Sequence, residues 1–180
     1  RDCGTDYHEK FKNFLAHVQS KDLMSAGAMT DPRGDRSLRP SKQNSPDAYL
    51  HIKERTNEGI IVSGAKAHIT GVINSHEIIV MPTIAMRAED RDYAVSFALP
   101  ADAEGIVYIM GRQSCDTRKL EQGLLDRGNI YFGGHEALVV FDDVFVPWER
   151  VFMYKEFEFV GQLVEKFAAY HRQSYACKVG

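Results

Sequence analysis

The spacing of apolar residues changes twice along this chain of 180 residues, and the change limits the folds open to it. Apolar side chains recur at helical spacing over residues 7–18. Over residues 49–153 the pattern switches to short segments in which apolar and small or polar residues alternate, as in half-buried strands. Helical spacing returns over residues 157–170. Because no helical pattern alternates with the strands, the sequence predicts an α+β fold with an antiparallel sheet or barrel flanked by helical segments.

These changes divide the chain into three predicted segments. Residues 1–47 are interpreted as the end of a helical domain followed by a loop, residues 48–153 as a middle β-domain, and residues 154–180 as the start of a second helical domain. The chain begins at Arg1 and stops inside a segment rich in reactive side chains. We therefore expect it to be a piece of a larger protein.

Two interruptions and one long connection are predicted within the β-domain. Strands over 59–64 and 67–70 are expected to flank a turn, and strands over 137–141 and 143–147 to be separate. The polar stretch over 111–134 is long for a connection in a compact domain, so we expect it to be functional or extended over a partner.

Composition excludes several classes of function. The formal charge is -3 and no run of Lys or Arg occurs, which argues against a nucleic-acid-binding surface. No apolar stretch approaches the roughly 18 residues of a membrane helix. The three cysteines are widely separated, which is not a disulfide framework and suits a reducing, cytoplasmic location.

Near the C-terminus, four reactive side chains lie within two helical turns: His171, Tyr175, Cys177 and Lys178. Imidazole and thiolate bind soft or borderline metals, and phenol and ammonium can move protons. On a regular helix, six residues separate positions 171 and 177 by about 120°. Both side chains can therefore bind one metal centre only if the backbone leaves helical geometry after Tyr175.

Five motifs carry a resemblance to known proteins. Two of them, over 64–71 and 140–147, resemble β-domain motifs of the acyl-CoA dehydrogenase-like flavoproteins. The other three, over 29–36, 133–141 and 170–180, more narrowly resemble the 4-hydroxybutyryl-CoA dehydratases. Those enzymes fall within the family of the 4-hydroxyphenylacetate 3-monooxygenase oxygenase component.

The resemblance implies a flavin-dependent hydro-lyase with FAD and a [4Fe-4S] cluster. Its reaction is the radical dehydration of 4-hydroxybutyryl-CoA to crotonyl-CoA, and the allylic chemistry is compatible with vinylacetyl-CoA Δ-isomerase activity. The implied partners are an acyl-CoA substrate and further copies of the chain in a homo-oligomer. We expect the 180-residue piece alone to be inactive.

The resemblance also implies roles for individual residues. His171 and Cys177 match iron ligands, with two more cysteine ligands expected upstream of this chain. His171 and Tyr175 are expected to face the leaving hydroxyl, Lys178 to steer the hydroxyl or thioester, and Glu136 to handle protons. The predicted flavin-binding residues lie in the first loop and the first β-domain motif: Met29, Thr30, Asp31, Arg33, Arg36, His68, Ile69 and Thr70. Among these, Thr70 is expected to offer its hydroxyl and backbone N–H to the redox edge of the flavin.

Two other interpretations stay open at this point. One is a flavin-dependent aromatic hydroxylase of the 4-hydroxyphenylacetate 3-monooxygenase type, which needs no iron cluster. The other is a non-catalytic remnant or binding module built on the β-domain. The reactive side chains over 171–178 argue against the hydroxylase, whereas the short His171–Cys177 spacing and the truncation favour the remnant.

Overall fold

The computed structural model describes residues 4–111 and 135–179, with side chains described as far as residue 169. The described part contains two α-helices and eight strands. In chain order these are α1 (Tyr7–Ser20), β1 (Ser25–Ala28), β2 (His51–Arg55), β3 (Gly59–Thr70), β4 (Glu77–Val80), β5 (Val95–Pro100), β6 (Ile106–Ile109), β7 (Glu136–Pro147), β8 (Val151–Tyr154) and α2 (Val160–Val179). Short 3-10 turns join them at Pro40–Lys42, Pro46–Ala48, Val72–Asn74, Ala88–Tyr93, Trp148–Arg150 and Phe157–Phe159.

The strands form two four-stranded sheets. The first has the order β1-β4-β5-β8 and the second the order β2-β3-β7-β6. All pairings are antiparallel except that of β1 with β4, which is parallel. The α+β expectation is confirmed, but the barrel is not, because the described strands form two sheets rather than one closed ring.

One hydrophobic core lies between the two sheets. The first sheet contributes Ile78 and Phe97, and the second contributes Val62 and Phe141, all of them buried. The rings of Phe97 and Phe141 meet edge to face with centroids 6.1 Å apart. Apolar side chains on alternate strand positions thus find partners on the facing sheet, as the alternating pattern predicted.

The predicted division of β7 into two strands is wrong. Pairing continues from residue 136 to residue 147, but the register slips between Phe141, which pairs with Gly64, and Val144, which pairs with Val62. A β-bulge absorbs the extra residue, with Asp143 at a φ of 53°. The bulge keeps both Phe141 and Val144 directed into the core although three positions separate them.

The turn predicted at residues 65–66 is also wrong, because β3 continues through them and a bulge follows. The register slips between Lys66 and Ile69, and His68 takes a φ of 56°. Lys66, Ala67 and Ile69 are buried, whereas His68 is exposed. The extra residue therefore turns His68 outward while the side chains on both sides of it face inward.

Helix α1 confirms the first helical segment and packs on β8. Its Phe11 and Phe14 contact Phe152, with ring centroids 5.2 and 5.7 Å apart. The side chain of Asp6 makes no capping bond and instead pairs with Lys10 at 3.1 Å. The second helical segment begins at Val160, which is fully buried.

Strand β1 belongs to the first sheet although it lies upstream of residue 48. It consists of small residues, Ser-Ala-Gly-Ala, and its buried positions are the two alanines. Neither helix, over the residues that the structure describes, is long and apolar enough to cross a membrane.

Candidate active site

The structure brings two of the predicted site segments together. The backbone N–H of Ala67 in β3 donates a hydrogen bond of 2.8 Å to the carbonyl of Thr30. The loop over 29–36 therefore runs beside the end of β3 that carries His68 and Thr70. These segments are more than 30 positions apart in the chain, and both were predicted to bind the flavin.

A buried ion pair fixes the start of this loop. The Lys66 ammonium lies 2.6 Å from an oxygen of Asp31, and both side chains are only 3% exposed. The other Asp31 oxygen accepts a hydrogen bond of 2.6 Å from the Thr83 hydroxyl. Asp31 was predicted to bind the cofactor, and here its carboxylate faces Lys66 and Thr83 inside the protein.

The two arginines of the loop present positive charge near its surface. Arg33 is partly exposed with a φ of 62°, and Arg36 is exposed. Neither forms an ion pair with another residue in the described ranges. Burial raises the pKa of Tyr49 and Asp31 adds to that shift, while Arg33 and Arg36 oppose it. The loop charges thus gather around the Tyr49 hydroxyl.

The loop owes its shape to Gln43. The amide oxygen of Gln43 accepts a hydrogen bond of 3.0 Å from the Asp35 N–H, and its amide nitrogen donates to the carbonyls of Asp35 and Leu38 at 2.8 and 3.2 Å. A Cβ on Gly34 would lie 2.5 Å from the same amide oxygen. Glycine at position 34 therefore permits the close approach of the Gln43 amide to the loop.

Three predicted site residues meet at the end of the β3–β7 pair. Glu136 accepts a hydrogen bond of 3.2 Å from the Thr70 hydroxyl, and its other oxygen lies 3.5 Å from the His68 ring nitrogen Nδ1. The side chains of His68 and Glu136 are 78% and 51% exposed, so a ligand can reach them. Ile69 lies between the other two along the strand, but its side chain is buried in the core.

The backbone of Thr70 adds a donor to this group. Gly71 N–H donates to the His135 carbonyl at 2.9 Å, which makes the Thr70–Glu136 pair a non-hydrogen-bonded pair of the ladder. The Thr70 N–H therefore points away from β7, towards the edge of β3 where Ala67 bonds Thr30. An outward N–H beside an exposed hydroxyl suits the polar edge of a flavin ring.

An apolar cleft of about 640 Å³ lies among α1, the first sheet and α2. Its walls include Phe11, Phe152 and Leu163, and Met81 lies in the same lining. The charged and hydrogen-bonding groups in the lining include Tyr7 and His8 from α1, Glu156 from the connection after β8, and Lys166 from α2. The cleft was not anticipated, because its walls come from segments far apart in the sequence.

A hydrogen bond in the cleft lining fixes the protonation of a phenol. The Tyr7 hydroxyl donates to Glu156 at 3.0 Å, and Glu156 also accepts the Tyr154 N–H at 2.5 Å. Burial raises the pKa of Tyr7, and the Glu156 carboxylate adds to the shift. Tyr7 thus stays a neutral hydrogen-bond donor through the physiological pH range.

The remaining predicted residues lie in α2. This helix runs without interruption to Val179. It therefore does not open after Tyr175, as binding of one metal centre by both His171 and Cys177 would require. The side chains of His171, Tyr175, Cys177 and Lys178 fall outside the described part, so their roles stay predictions. Among the described residues no group of three or more His, Cys, Asp or Glu is placed to hold a metal.

Two residues of the site were missed by sequence reasoning. Lys66 had a detectable signal, because a lysine inside an apolar strand needs a buried partner or an exit to solvent. Thr83 had none, since a threonine after a strand is ordinary.

A family model decides the relationship. The model of the 4-hydroxyphenylacetate 3-hydroxylase N-terminal family matches residues 1–153. The chain belongs to the 4-hydroxyphenylacetate 3-hydroxylase N-terminal family. The described motifs of this family member, the loop over 29–36 and the strand end over 66–70, lie inside the match.

Among the relatives of this family member is the 4-hydroxybutyryl-CoA dehydratase/vinylacetyl-CoA Δ-isomerase of Clostridium aminobutyricum. It is 60% identical over 179 residues, which covers 98% of this chain and 36% of the relative. A solved 4-hydroxybutyryl-CoA dehydratase from N. maritimus matches with a TM-score of 0.89 and 55% identity, covering 98% of this chain and 35% of that one. The chain thus spans about a third of the length of these relatives.

Two more distant structures place the fold. The oxygenase component of 4-hydroxyphenylacetate 3-monooxygenase, solved with FAD and 4-hydroxyphenylacetate, matches at a TM-score of 0.71 and 29% identity over 91% of this chain and 33% of its own. A glutaryl-coenzyme A dehydrogenase matches at 0.50 and 14% identity, over 78% of this chain and 30% of its own. The second likeness shows an acyl-CoA dehydrogenase-like fold and nothing about activity.

Proposed function

We propose that this chain is part of a flavin-dependent enzyme that removes water from 4-hydroxybutyryl-CoA, with vinylacetyl-CoA isomerisation as a related activity. One observation carries the proposal: the 60% identity to the clostridial dehydratase/isomerase, which extends over 98% of the chain. The family model ends at residue 153, whereas this similarity continues into the helix that carries His171 and Lys178.

The exposed groups beside β3 fit FAD. Thr70 offers a hydroxyl and an outward N–H to the flavin ring, and His68 lies next to it. Arg33 and Arg36 are suited to the diphosphate of the cofactor because one guanidinium group can donate two parallel hydrogen bonds to phosphate oxygens. When bound, FAD supplies the one-electron chemistry that a dehydration at an unactivated carbon needs.

The apolar cleft suits the acyl-CoA substrate. Its aromatic and aliphatic walls exclude water from an acyl-pantetheine chain, and the Tyr7 hydroxyl, which donates to Glu156, can accept a hydrogen bond from an amide N–H of that chain. Lys166 at the lining offers a positive charge to the anionic parts of coenzyme A. We assign this cleft to substrate and the β3 edge to cofactor.

Glu136 is the residue proposed to accept protons from the substrate carbons. Its carboxylate is exposed, and Thr70 and His68 hold its two oxygens from different directions. A carboxylate oriented in this way can accept a proton and return it at a neighbouring position.

The C-terminal half of α2 is the proposed binding region for the leaving hydroxyl. His171, Tyr175 and Lys178 supply an imidazole, a phenol and an ammonium there. A [4Fe-4S] cluster bound by His171 and Cys177 is proposed from the resemblance alone. On the uninterrupted helix these positions are about 120° apart, so shared ligation requires the helix to open after Tyr175.

Chemical analysis of the full-length protein tests the proposal. Purified without oxygen, it is expected to contain FAD and four iron and four sulfide per subunit, the number that the resemblance implies, and to convert 4-hydroxybutyryl-CoA. His171→Ala should abolish this activity, whereas Glu165→Ala, at an exposed position of the same helix, should not. Cys177→Ser should lose iron if Cys177 is a ligand. Light scattering tests the homo-oligomer that the resemblance predicts.

The aromatic hydroxylase is the second candidate, favoured by the family model and by the FAD-bound oxygenase structure. A folded, FAD-containing protein that lacks iron and hydroxylates 4-hydroxyphenylacetate would replace the dehydratase proposal with this one. A protein that binds neither FAD nor acyl-CoA would instead support a non-catalytic module.

A further inference from the structure

The Lys66 ammonium joins three parts of the proposed site. It donates to Asp31 at 2.6 Å and to the carbonyls of Met29 and Met81 at 2.9 and 3.0 Å. An ammonium has three hydrogens, and all three are used. Lys66 itself lies two residues before His68. Met29 begins the loop over 29–36, which we call the arginine loop, and Met81 lies in the lining of the cleft.

Neighbouring hydrogen bonds close this arrangement. The Thr83 hydroxyl contacts both the Met29 carbonyl and the Asp31 carboxylate. Ala67, next to Lys66, bonds Thr30. Residues 29–36 thus make three bonds to residues 66–70 and two contacts with Thr83, and Lys66 makes one bond to Met81. All of them lie within a few residues of the groups assigned to flavin and substrate.

Stability alone is a weak reason for a buried charge at this position. An apolar side chain of similar volume commonly serves a core as well as a buried ion pair does, because both charges lose hydration. Burial lowers the pKa of Lys66, and Asp31 opposes that shift. A charged pair does, however, specify geometry, since its bonds are satisfied in only one arrangement of the three segments.

We propose that Lys66, with Asp31, is a positioning residue that holds the arginine loop, the His68–Thr70 segment and the cleft wall at Met81 in the geometry that binds FAD. The bulge after Lys66 makes this control direct. A shift of Lys66 is transmitted along β3 to the bulged residue His68 and to the donor at Thr70, which lie two and four residues further along the chain.

The test compares two double variants of the full-length protein, in each of which both charges of one ion pair are removed. Lys66→Met/Asp31→Asn removes the buried pair without leaving a lone charge, and Lys53→Met/Asp143→Asn makes the same changes at the exposed pair on the second sheet. Three properties are measured: melting temperature, FAD dissociation constant with the visible flavin spectrum, and hydrogen exchange of residues 29–36, 66–70 and 81–83.

We expect the buried double variant to fold, to exchange faster in all three segments and to bind FAD about tenfold more weakly, since small misplacements of binding groups have large effects. The exposed double variant should match the wild type in hydrogen exchange of these segments and in FAD affinity, and its melting temperature should fall much less than that of the buried variant. Unchanged exchange in the three segments overturns the inference. Faster exchange with unchanged FAD affinity and flavin spectrum also overturns it.

The inference rests on the proposed function, and the two can fail separately. If the wild-type protein binds no FAD, the proposed function fails, and the exchange data still decide whether Lys66 positions the three segments. If the double variant does not fold, Thr83→Val replaces it, because this variant keeps both charges and removes one hydroxyl. It should loosen residues 29–36 and weaken FAD binding about threefold, a smaller effect because one hydrogen bond is lost. Wild-type values for Thr83→Val would overturn the inference.

Discussion

The β3–β7 pair contains two bulges, and beside each lies a lysine–aspartate pair whose nitrogen and oxygen are 2.6 Å apart. At one bulge Lys66 and Asp31 are each 3% exposed. At the other, Lys53 and Asp143 are 55% and 52% exposed. The distance is the same, but only the buried pair has lost its water. Contact distance therefore says little about what a pair contributes, and burial decides it.

The largest expected effect separates the two pairs by stability. Lys66→Met leaves Asp31 buried and without its counter-ion, which should lower the free energy of unfolding by about 3–5 kcal/mol. Urea denaturation of both single variants measures the difference. Lys53→Met, the matched change, should lower the midpoint only slightly because Asp143 remains solvated. Equal losses in the two variants would contradict the comparison.

The next effect concerns Gly64, which lies between the two bulges. Its φ is 126°, and a Cβ there would lie 2.4 Å from the Tyr49 carbonyl oxygen. Gly64→Ala should therefore cost about 2 kcal/mol or more in the free energy of unfolding. Gly71→Ala is the control, because Gly71 has a φ of 72° with no atom within 4 Å of the added Cβ. It should cost about 1 kcal/mol, from backbone strain alone.

A smaller effect distinguishes the C-terminal end of β3 from its middle by function. Thr70→Val removes a hydroxyl at the proposed flavin edge and should weaken FAD binding about tenfold, or about 1.4 kcal/mol. Ser63→Ala removes a hydroxyl that bonds Asp143 at the other bulge, and it should leave FAD affinity unchanged. Fluorescence titration with FAD measures both. If the two variants bind FAD equally well, the β3 edge is not the flavin site.

The smallest effect is the pH dependence of the exposed pair. Hydrogen bonds from Lys53 and Ser63 lower the pKa of Asp143. The stability that this shift gives is present above the unfolded pKa of about 3.9 and is lost as the pH falls through the folded pKa. The urea midpoints of wild type and Asp143→Asn should therefore differ near neutral pH and converge in acid. High salt should reduce the difference, and a gap that persists in acid would show that charge is not its source.

The sequence predicted the elements better than their connections. Apolar spacing identified α1, the β-rich middle and the second helix, because burial on one face leaves a periodic trace. Breaks between strands were predicted at residues 65–66 and at residue 142, whereas the structure has bulges over 67–68 and 142–143. A bulge and a turn break alternation in the same way. Strand β1 left no trace because its residues are small.

The candidate site was predictable only where a short motif carried it. Thr70, His68 and Glu136 come from two motifs that pair across β3 and β7, and the structure places them together. The Lys66–Asp31 pair spans 35 positions, and no local pattern states which aspartate a buried lysine will meet. The cleft was missed for the same reason, because Tyr7 and Glu156 meet only after the chain has folded.

The bulge at His68 also sets how much change in length β3 tolerates. Side chains alternate faces along a strand, so one residue more or fewer reverses every position beyond it. Deleting one residue between Lys66 and Ile69 would instead restore regular pairing, and it would leave Ile69 facing the core and Thr70 facing water, because their partners on β7 are already two residues apart. A homologue with a one-residue gap there would therefore lose only the bulge that turns His68 outward, whereas a two-residue gap would exchange the faces of Ile69 and Thr70.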